Sequence, residues 1–239
     1  MLLVNDAPLR YTLDGTIAVA HLDDGKANAL GDAMIDALVA AVERAEREAA
    51  ALVLIGRKER FSAGFDLKVM MRGPEDARAM LRRGSAMFMR VFGAQVPVVM
   101  ACTGHALAGG ALLLLTGDVR VGALGAYRLG LNEVTIGMPV PVLAMELARA
   151  RLAPTELGRA TLEARIYEPA EAATVGYLDV AVPEDEVVPR AMQEAARLAA
   201  LPRSAYAATK ERLRGATIRH IETTLESDLD ALLSLLPTR

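Results

Sequence analysis

Much of what this chain can be is settled by what it has little of. It holds a single cysteine, Cys102, in 239 residues, which excludes an internal disulfide framework and fits a reducing compartment. Aromatic residues make up only 4%, and 27 basic residues face 30 acidic ones for a net charge of -3. Neither a broad stacking surface nor a global positive field is present to draw in nucleic acid or anionic lipid. The longest apolar stretch, Ala106 to Thr116, is interrupted by Gly109 and Gly110 and falls short of the roughly 20 residues a membrane helix needs. The opening residues, Met1 to Asp6, show neither a basic leader nor an apolar stretch of signal-peptide length. His21, His105 and His220 are far apart and no spaced Cys/His cluster exists, so no metal site is expected. Low-complexity tracts and flexible linkers are missing too. The expectation is a cytoplasmic protein with no metal, nucleic-acid or membrane partner.

What is there is core-forming material, at 53% hydrophobic content, enough for one large domain or a domain with an appendage. Leu9 to Leu13 and Thr16 to Leu22 read as two short strands separated by Asp14-Gly15, a hairpin signal. From Asp32 to Glu48, Met34, Ile35, Leu38, Val39 and Val42 recur at helical spacing. Ala51 to Ile55 reads as a buried strand. The theme returns with a strand over Pro97 to Ala101, a helix from about Gly109 and a strand over Asp118 to Val121. This pattern predicts stacked strand-strand-helix units rather than a doubly wound sheet. After Pro183 the segments are helical: Glu186 to Ala200, Ser204 to Arg214, and Ile218 to Leu236. The last carries a stripe of Ile218, Ile221, Leu225, Leu229, Leu232, Leu233 and Leu236, which needs the main core or another subunit to cover it.

Two glycine-bearing segments and one carboxylate carry the chemistry. In Phe61-Ser62-Ala63-Gly64-Phe65-Asp66-Leu67, a Ser-Ala-Gly turn after a strand can aim backbone amides into a cleft, because Gly64 reaches conformations closed to other residues. In Ala106-Leu107-Ala108-Gly109-Gly110-Ala111-Leu112, the glycines lie between a strand and a helix, where a ligand can approach closely and the helix N-terminus adds positive partial charge. The stretch lacks the following Lys-Ser/Thr pair of a nucleotide P-loop. The amides of Phe65 and Gly109 are the candidate donors of an oxyanion hole, in which losing one donor typically costs about 3 to 4 kcal/mol in the transition state. Behind them, in Gly130-Leu131-Asn132-Glu133, stands Glu133, with Val134, Ile136 and Met138 nearby as apolar neighbours able to raise its pKa.

These segments resemble the crotonase (enoyl-CoA hydratase/isomerase) superfamily over nearly the whole chain. The resemblance implies an α/β fold, a crotonase-type spiral of repeated strand-strand-helix units with a helical C-terminal region. It divides the chain into residues 1–185, the spiral core with an acyl-CoA site, and 186–239, a helical region involved in assembly as a homotrimer or homohexamer. The stripe on the last helix is expected to favour that association. Lys26-Ala27-Asn28-Ala29-Leu30 is similar to the family's early segment lining the coenzyme A site. Phe65 and Gly109 fall at the two oxyanion-hole amides, Asp66 at the aspartate after the first donor, and Glu133 at the second catalytic glutamate. The substrate-binding set is completed by Ala63, Gly64, Leu67, Lys68, Gly110, Leu112 and Met138. Coenzyme A enters only as part of an acyl-CoA thioester substrate, with no separate cofactor.

One departure narrows the chemistry. Hydratases of the family carry their first glutamate where this chain has Leu112. Adding water across a double bond needs one group to activate water and usually a second to deliver a proton, whereas moving a double bond from the 3,4 to the 2,3 position needs a single base. Gly130-Leu131-Asn132-Glu133 is also closer to the delta3,delta2-enoyl-CoA isomerase branch, as is Gly137-Met138-Pro139-Val140-Pro141-Val142 in place of the hydratases' Gly-Gly-Thr. The expected activity is enoyl-CoA isomerisation, with hydration, thioester hydrolysis, decarboxylation or non-catalytic acyl-CoA binding as alternatives. Lys26, Lys68, Arg72, Arg82, Arg83 and Lys210 are candidates for coenzyme A phosphates, Arg82 and Arg83 reading more simply as solvated helix faces. His105, four residues before Gly109, could line the pocket but reads more simply as a satisfied core histidine. Met70, Met71, Met80, Met87 and Met89 suit either an adaptable pocket or core filling, and Lys68 to Met89 is the expected mobile wall of the site.

Overall fold

The computed structural model describes residues 7–235; Met1 to Asp6, and Leu236 of the apolar stripe, lie outside them. The chain opens with β1 (Leu9–Asp14) and β2 (Ile17–Leu22), paired antiparallel from Leu9 opposite Leu22 to Asp14 opposite Ile17. Gly15 takes φ +58° in the turn, so the hairpin closes one residue later than the Asp14-Gly15 reading had it. After β3 (Ala29–Leu30) comes α1 (Asp32–Glu48), which buries Met34, Ile35, Leu38 and Val42 as its spacing predicts.

Next come β4 (Ala51–Ile55), β5 (Glu59–Ser62), β6 (Gly64–Phe65), α2 (Leu67–Met70) and α3 (Pro74–Phe92). A further turn of the spiral holds β7 (Val98–Cys102), β8 (Gly104–Leu107), α4 (Gly109–Thr116), β9 (Val119–Ala123) and β10 (Leu129–Gly130). The chain then runs through α5 (Val142–Arg151), α6 (Leu157–Thr161), α7 (Pro169–Val175), β11 (Val180–Val182), α8 (Val187–Ala199) and α9 (Arg203–Ser234).

The main sheet has six strands in the order β1-β2-β4-β7-β9-β11, parallel from β2 onward. Every residue of β4 is buried because both faces are covered, the condition under which a strand reads as a continuous apolar run. Leu52 and Leu54 face the core shared with α1 and α3, while Ala51, Val53 and Ile55 pack with Val187, Ala191, Ala195 and Leu198 of α8. A second sheet, β10-β8-β5, and a two-stranded ladder, β3-β6, stand beside the first. This is the stacked arrangement of strands and helices the sequence predicts, with a mostly helical C-terminal part. Among the described residues no helix is long and apolar enough to cross a membrane.

Two sequence expectations are corrected. Ser204 to Arg214 and Ile218 to Leu236 are not separate helices; α9 runs unbroken for 32 residues. Gly215, which costs a helix interior about 1 kcal/mol relative to alanine, is overruled by tertiary contacts on either side of it. The apolar stripe of α9 also finds cover within its own chain. It packs against α3 and α5, with Ile221, Leu229 and Leu232 buried, so it supplies no independent argument for association.

The first half of α9 is held by a buried ionic cluster. Asp118 accepts hydrogen bonds from Lys210 Nζ and from the Val98 amide, each at 2.7 Å, and pairs with Arg214 at 2.9 Å. Arg214 also donates to the carbonyl of Phe92 at 2.8 Å. Arg151 donates to the carbonyls of Leu115, at 3.0 Å, and Gly117, at the C-terminal end of α4, where cations are favoured. Burial, with Arg214 and Arg120 nearby, pushes the Arg151 pKa down to about 9. Cys102 lies buried in β7 with its thiol pushed up to about 12 by burial, as expected of a quiet core cysteine.

Candidate active site

The two glycine-bearing segments meet. Gly64 ends the turn after β5 at φ +89°, a conformation L side chains rarely adopt, and a Cβ built there would lie 2.9 Å from the Gly109 nitrogen. A Cβ on Gly109 would lie 3.3 Å from the Phe65 nitrogen. The two candidate amides are thus carried by backbones in direct contact. Gly110 admits no side chain for a different reason: its Cβ would sit 2.0 Å from the carbonyl oxygen of Ser62, so the first turn of α4 rests on β5. Ala108, the residue before α4, is held at φ +47°, a strained conformation for a residue with a Cβ and one that clusters at functional sites. The Gly109 amide opens the helix and has no intrahelical acceptor.

Both segments border a cavity of about 240 Å³. Of the predicted residues, Ala63, Phe65, Leu67, Gly109, Leu112, Glu133 and Met138 line it. Glu133 is 7% exposed, and its Oε2 is buried with no hydrogen-bond partner. Burial raises its pKa above the ordinary glutamate value, the direction a base working near neutrality requires. Its backbone carbonyl accepts from the Met138 amide at 2.9 Å, which folds the following loop back over the carboxylate. Ile136 and Met138 line the cavity with it; Val134 does not, and is instead half exposed. Leu112 is 3% exposed, an apolar wall of the same cavity.

Other predicted residues stand back from the cavity. Lys26 and Lys68 are exposed, and Asp66 caps α2 by accepting from the Lys68 amide at 2.9 Å. Ala29 and Leu30 pair with Gly64 and Phe65, so Lys26 to Leu30, including Ala27, buttresses the first donor rather than lining the pocket. Asn28 secures it, donating to the carbonyls of Leu22 and Phe61, each at 3.1 Å. Lys210, a candidate for a phosphate, is buried against Asp118 and so is not free to meet one. Arg82 pairs with Glu226, and Arg83 with Asp32 and Asp36. His105 is not a core histidine: it is only half-buried, outside the cavity lining, and accepts from the Arg128 amide at 3.0 Å. Of the five methionines between residues 70 and 89 only Met70 reaches the cavity; Met80, Met87 and Met89 fill core and Met71 is exposed. The expected wall from Lys68 to Met89 is α2 and most of α3, which contributes Met70, Leu81, Ser85 and Phe88.

The sequence reading missed the fourth wall. Leu225, Asp228, Leu229 and Leu232 of α9 close the cavity. The stripe spacing contained the signal, since residue 228 falls three after Leu225 and four before Leu232, on the same helix face.

Comparison with known proteins gives the family and the fold. The enoyl-CoA hydratase/isomerase family pattern matches residues 12–238. An enoyl-CoA hydratase/isomerase family protein from Pseudomonas syringae superposes with a TM-score of 0.92 at 35% identity, covering 94% of this chain and 98% of that one. A Mycobacterium tuberculosis protein, 41% identical with a TM-score of 0.87 over 95% of this chain, is described in one structure as an enoyl-CoA isomerase, covering 98% of that chain, and in another as a probable enoyl-CoA hydratase, covering 95%. Human mitochondrial enoyl-CoA delta isomerase 1 is 29% identical over 225 residues, 92% of this chain and 74% of the human one.

Proposed function

The chain belongs to the enoyl-CoA hydratase/isomerase family, and within it we propose that the protein is a delta3,delta2-enoyl-CoA isomerase. The observation that carries this reading is Glu133, a buried carboxylate with an unpartnered oxygen, in one cavity with Leu112 and the Phe65 and Gly109 amides. The thioester oxygen of a 3-enoyl-CoA accepts hydrogen bonds from the two amides. Glu133 takes a proton from carbon 2, and the electron pair left behind passes into the thioester as a dienolate whose charge the amides stabilise. The protonated Glu133 then returns the proton to carbon 4, leaving the double bond between carbons 2 and 3. Atoms and charge balance with one acid/base, and the apolar wall at Leu112 keeps water away from the dienolate.

Hydration is the second reading, favoured by one observation: Asp228 puts another carboxylate in the cavity. It is already bonded to the Val142 amide at 2.8 Å, which argues for a task other than activating water. Incubation with a trans-3-enoyl-CoA decides between them. A 2-enoyl-CoA of unchanged mass is the expected product; a 3-hydroxyacyl-CoA, heavier by one water, would replace isomerisation with hydration as the activity. Assembly as a trimer or a pair of trimers is proposed with this reading, and light scattering of the purified protein checks it.

A further inference from the structure

Asp228 is an anomaly on the face it occupies. Its neighbours on α9, Leu225, Leu229 and Leu232, are apolar and line the cavity with it, and the facing wall is Leu81 and Phe88 of α3 with Leu143 of α5. One of its oxygens, Oδ2, accepts the Val142 amide at 2.8 Å, satisfying one of the orphan donors at the start of α5, which its own N-cap, Pro141, leaves without a side-chain cap. A carboxylate accepts about four hydrogen bonds, so this cap leaves capacity unused on a residue that lines the cavity. Burial raises the Asp228 pKa despite that bond. A buried serine, Ser85 on α3, lines the same cavity.

A plain alkyl chain filling this space would strip water from the carboxylate and give it nothing in return, a costly arrangement for a polar group. A chain carrying a hydroxyl would supply the missing donor. We propose that Asp228 is a specificity-determining residue that selects acyl groups bearing a hydroxyl on the part of the chain distal to the thioester, with Ser85 as a second polar contact. This rests on the acyl-CoA reading of the cavity but not on isomerisation as the reaction.

The test is calorimetric binding of saturated acyl-CoAs of increasing length, each compared with the same chain ending in a hydroxyl. At the length that reaches Asp228 the hydroxylated thioester should bind about tenfold more tightly, the size of one hydrogen bond to a charged acceptor. Asp228→Leu should reverse the preference. Should that variant fail to fold, Asp228→Asn, which keeps an acceptor for the Val142 amide, should cut the preference to about threefold or less. Equal binding of the two series by the unaltered protein overturns the proposal alone. A preference that stays at about tenfold in either folded variant overturns the assignment to Asp228. Failure of both series to bind overturns it together with the acyl-CoA reading.

Discussion

Helix α4 has a buried carboxylate near each end, and the two are treated in opposite ways. Asp118, beyond the C-terminal end, is surrounded by Lys210, Arg214 and the Val98 amide. Glu133, across the cavity from the N-terminal end, has one oxygen buried with no partner at all. Burial costs a carboxylate several kcal/mol unless charge or hydrogen bonds compensate. Asp118 is fully compensated and serves as a fixed point for β7, β9 and α9. Glu133 is left under-compensated, burial outweighing a hydrogen bond from its own backbone and raising its proton affinity, on the wall of the cavity. Pairing separates a carboxylate that holds the fold from one available for chemistry.

Exchanging or removing these groups should break the comparison in a graded way. The largest effect is expected from Glu133→Gln, which should lower kcat for isomerisation by roughly a thousandfold, within the range for a lost general base, while circular dichroism stays unchanged; substantial retained turnover would remove Glu133 as the base. Asp118→Ala, which strands Lys210 and Arg214 without their anion, should cost about 3 to 5 kcal/mol in urea denaturation. A smaller effect of opposite sign is expected for stability in Glu133→Gln. Because burial raises the folded-state pKa of Glu133, the folded protein binds more protons than the unfolded chain between the ordinary glutamate value and the raised one. Stability therefore falls as pH rises through that window, and the glutamine variant should gain about 1 kcal/mol at neutral pH. The finest test is the pH dependence of kcat/KM: the acid limb should rise with pH through a midpoint above the ordinary glutamate value of about 4.3, and a midpoint at or below it would mean the carboxylate is solvated in the free enzyme.

The sequence made the strongly periodic parts of the fold legible. The predicted span of α1 and that of β4 match the structure end to end, because one carries an unbroken helical stripe and the other is walled on both faces. The two-residue strands β3, β6 and β10 are too short to leave a period, and they form only through pairing with partners distant in sequence. The continuity of α9 was hidden by Gly215, and nothing in the sequence marks Lys210, which reads as a candidate for a coenzyme A phosphate, or Arg214 as its determinants until Asp118, far away in sequence, is brought against them. Within the site, the residues whose backbone does the work stood out through glycine and order along the chain. Asp228 did not, because the leucines beside it made that face read as packing.

The unbroken course of α9 has a consequence for how such an enzyme can diversify. The helix is about 48 Å long at 1.5 Å per residue, anchored in its first half and forming a cavity wall only over Leu225 to Leu232. The amide donors and Glu133 belong to segments that end at Met138. On the proposed reading of the cavity, mutational drift on the far half of this helix would reshape which acyl tails are accepted while Glu133 and the two amides keep their surroundings, so that specificity and chemistry would be inherited as separable traits.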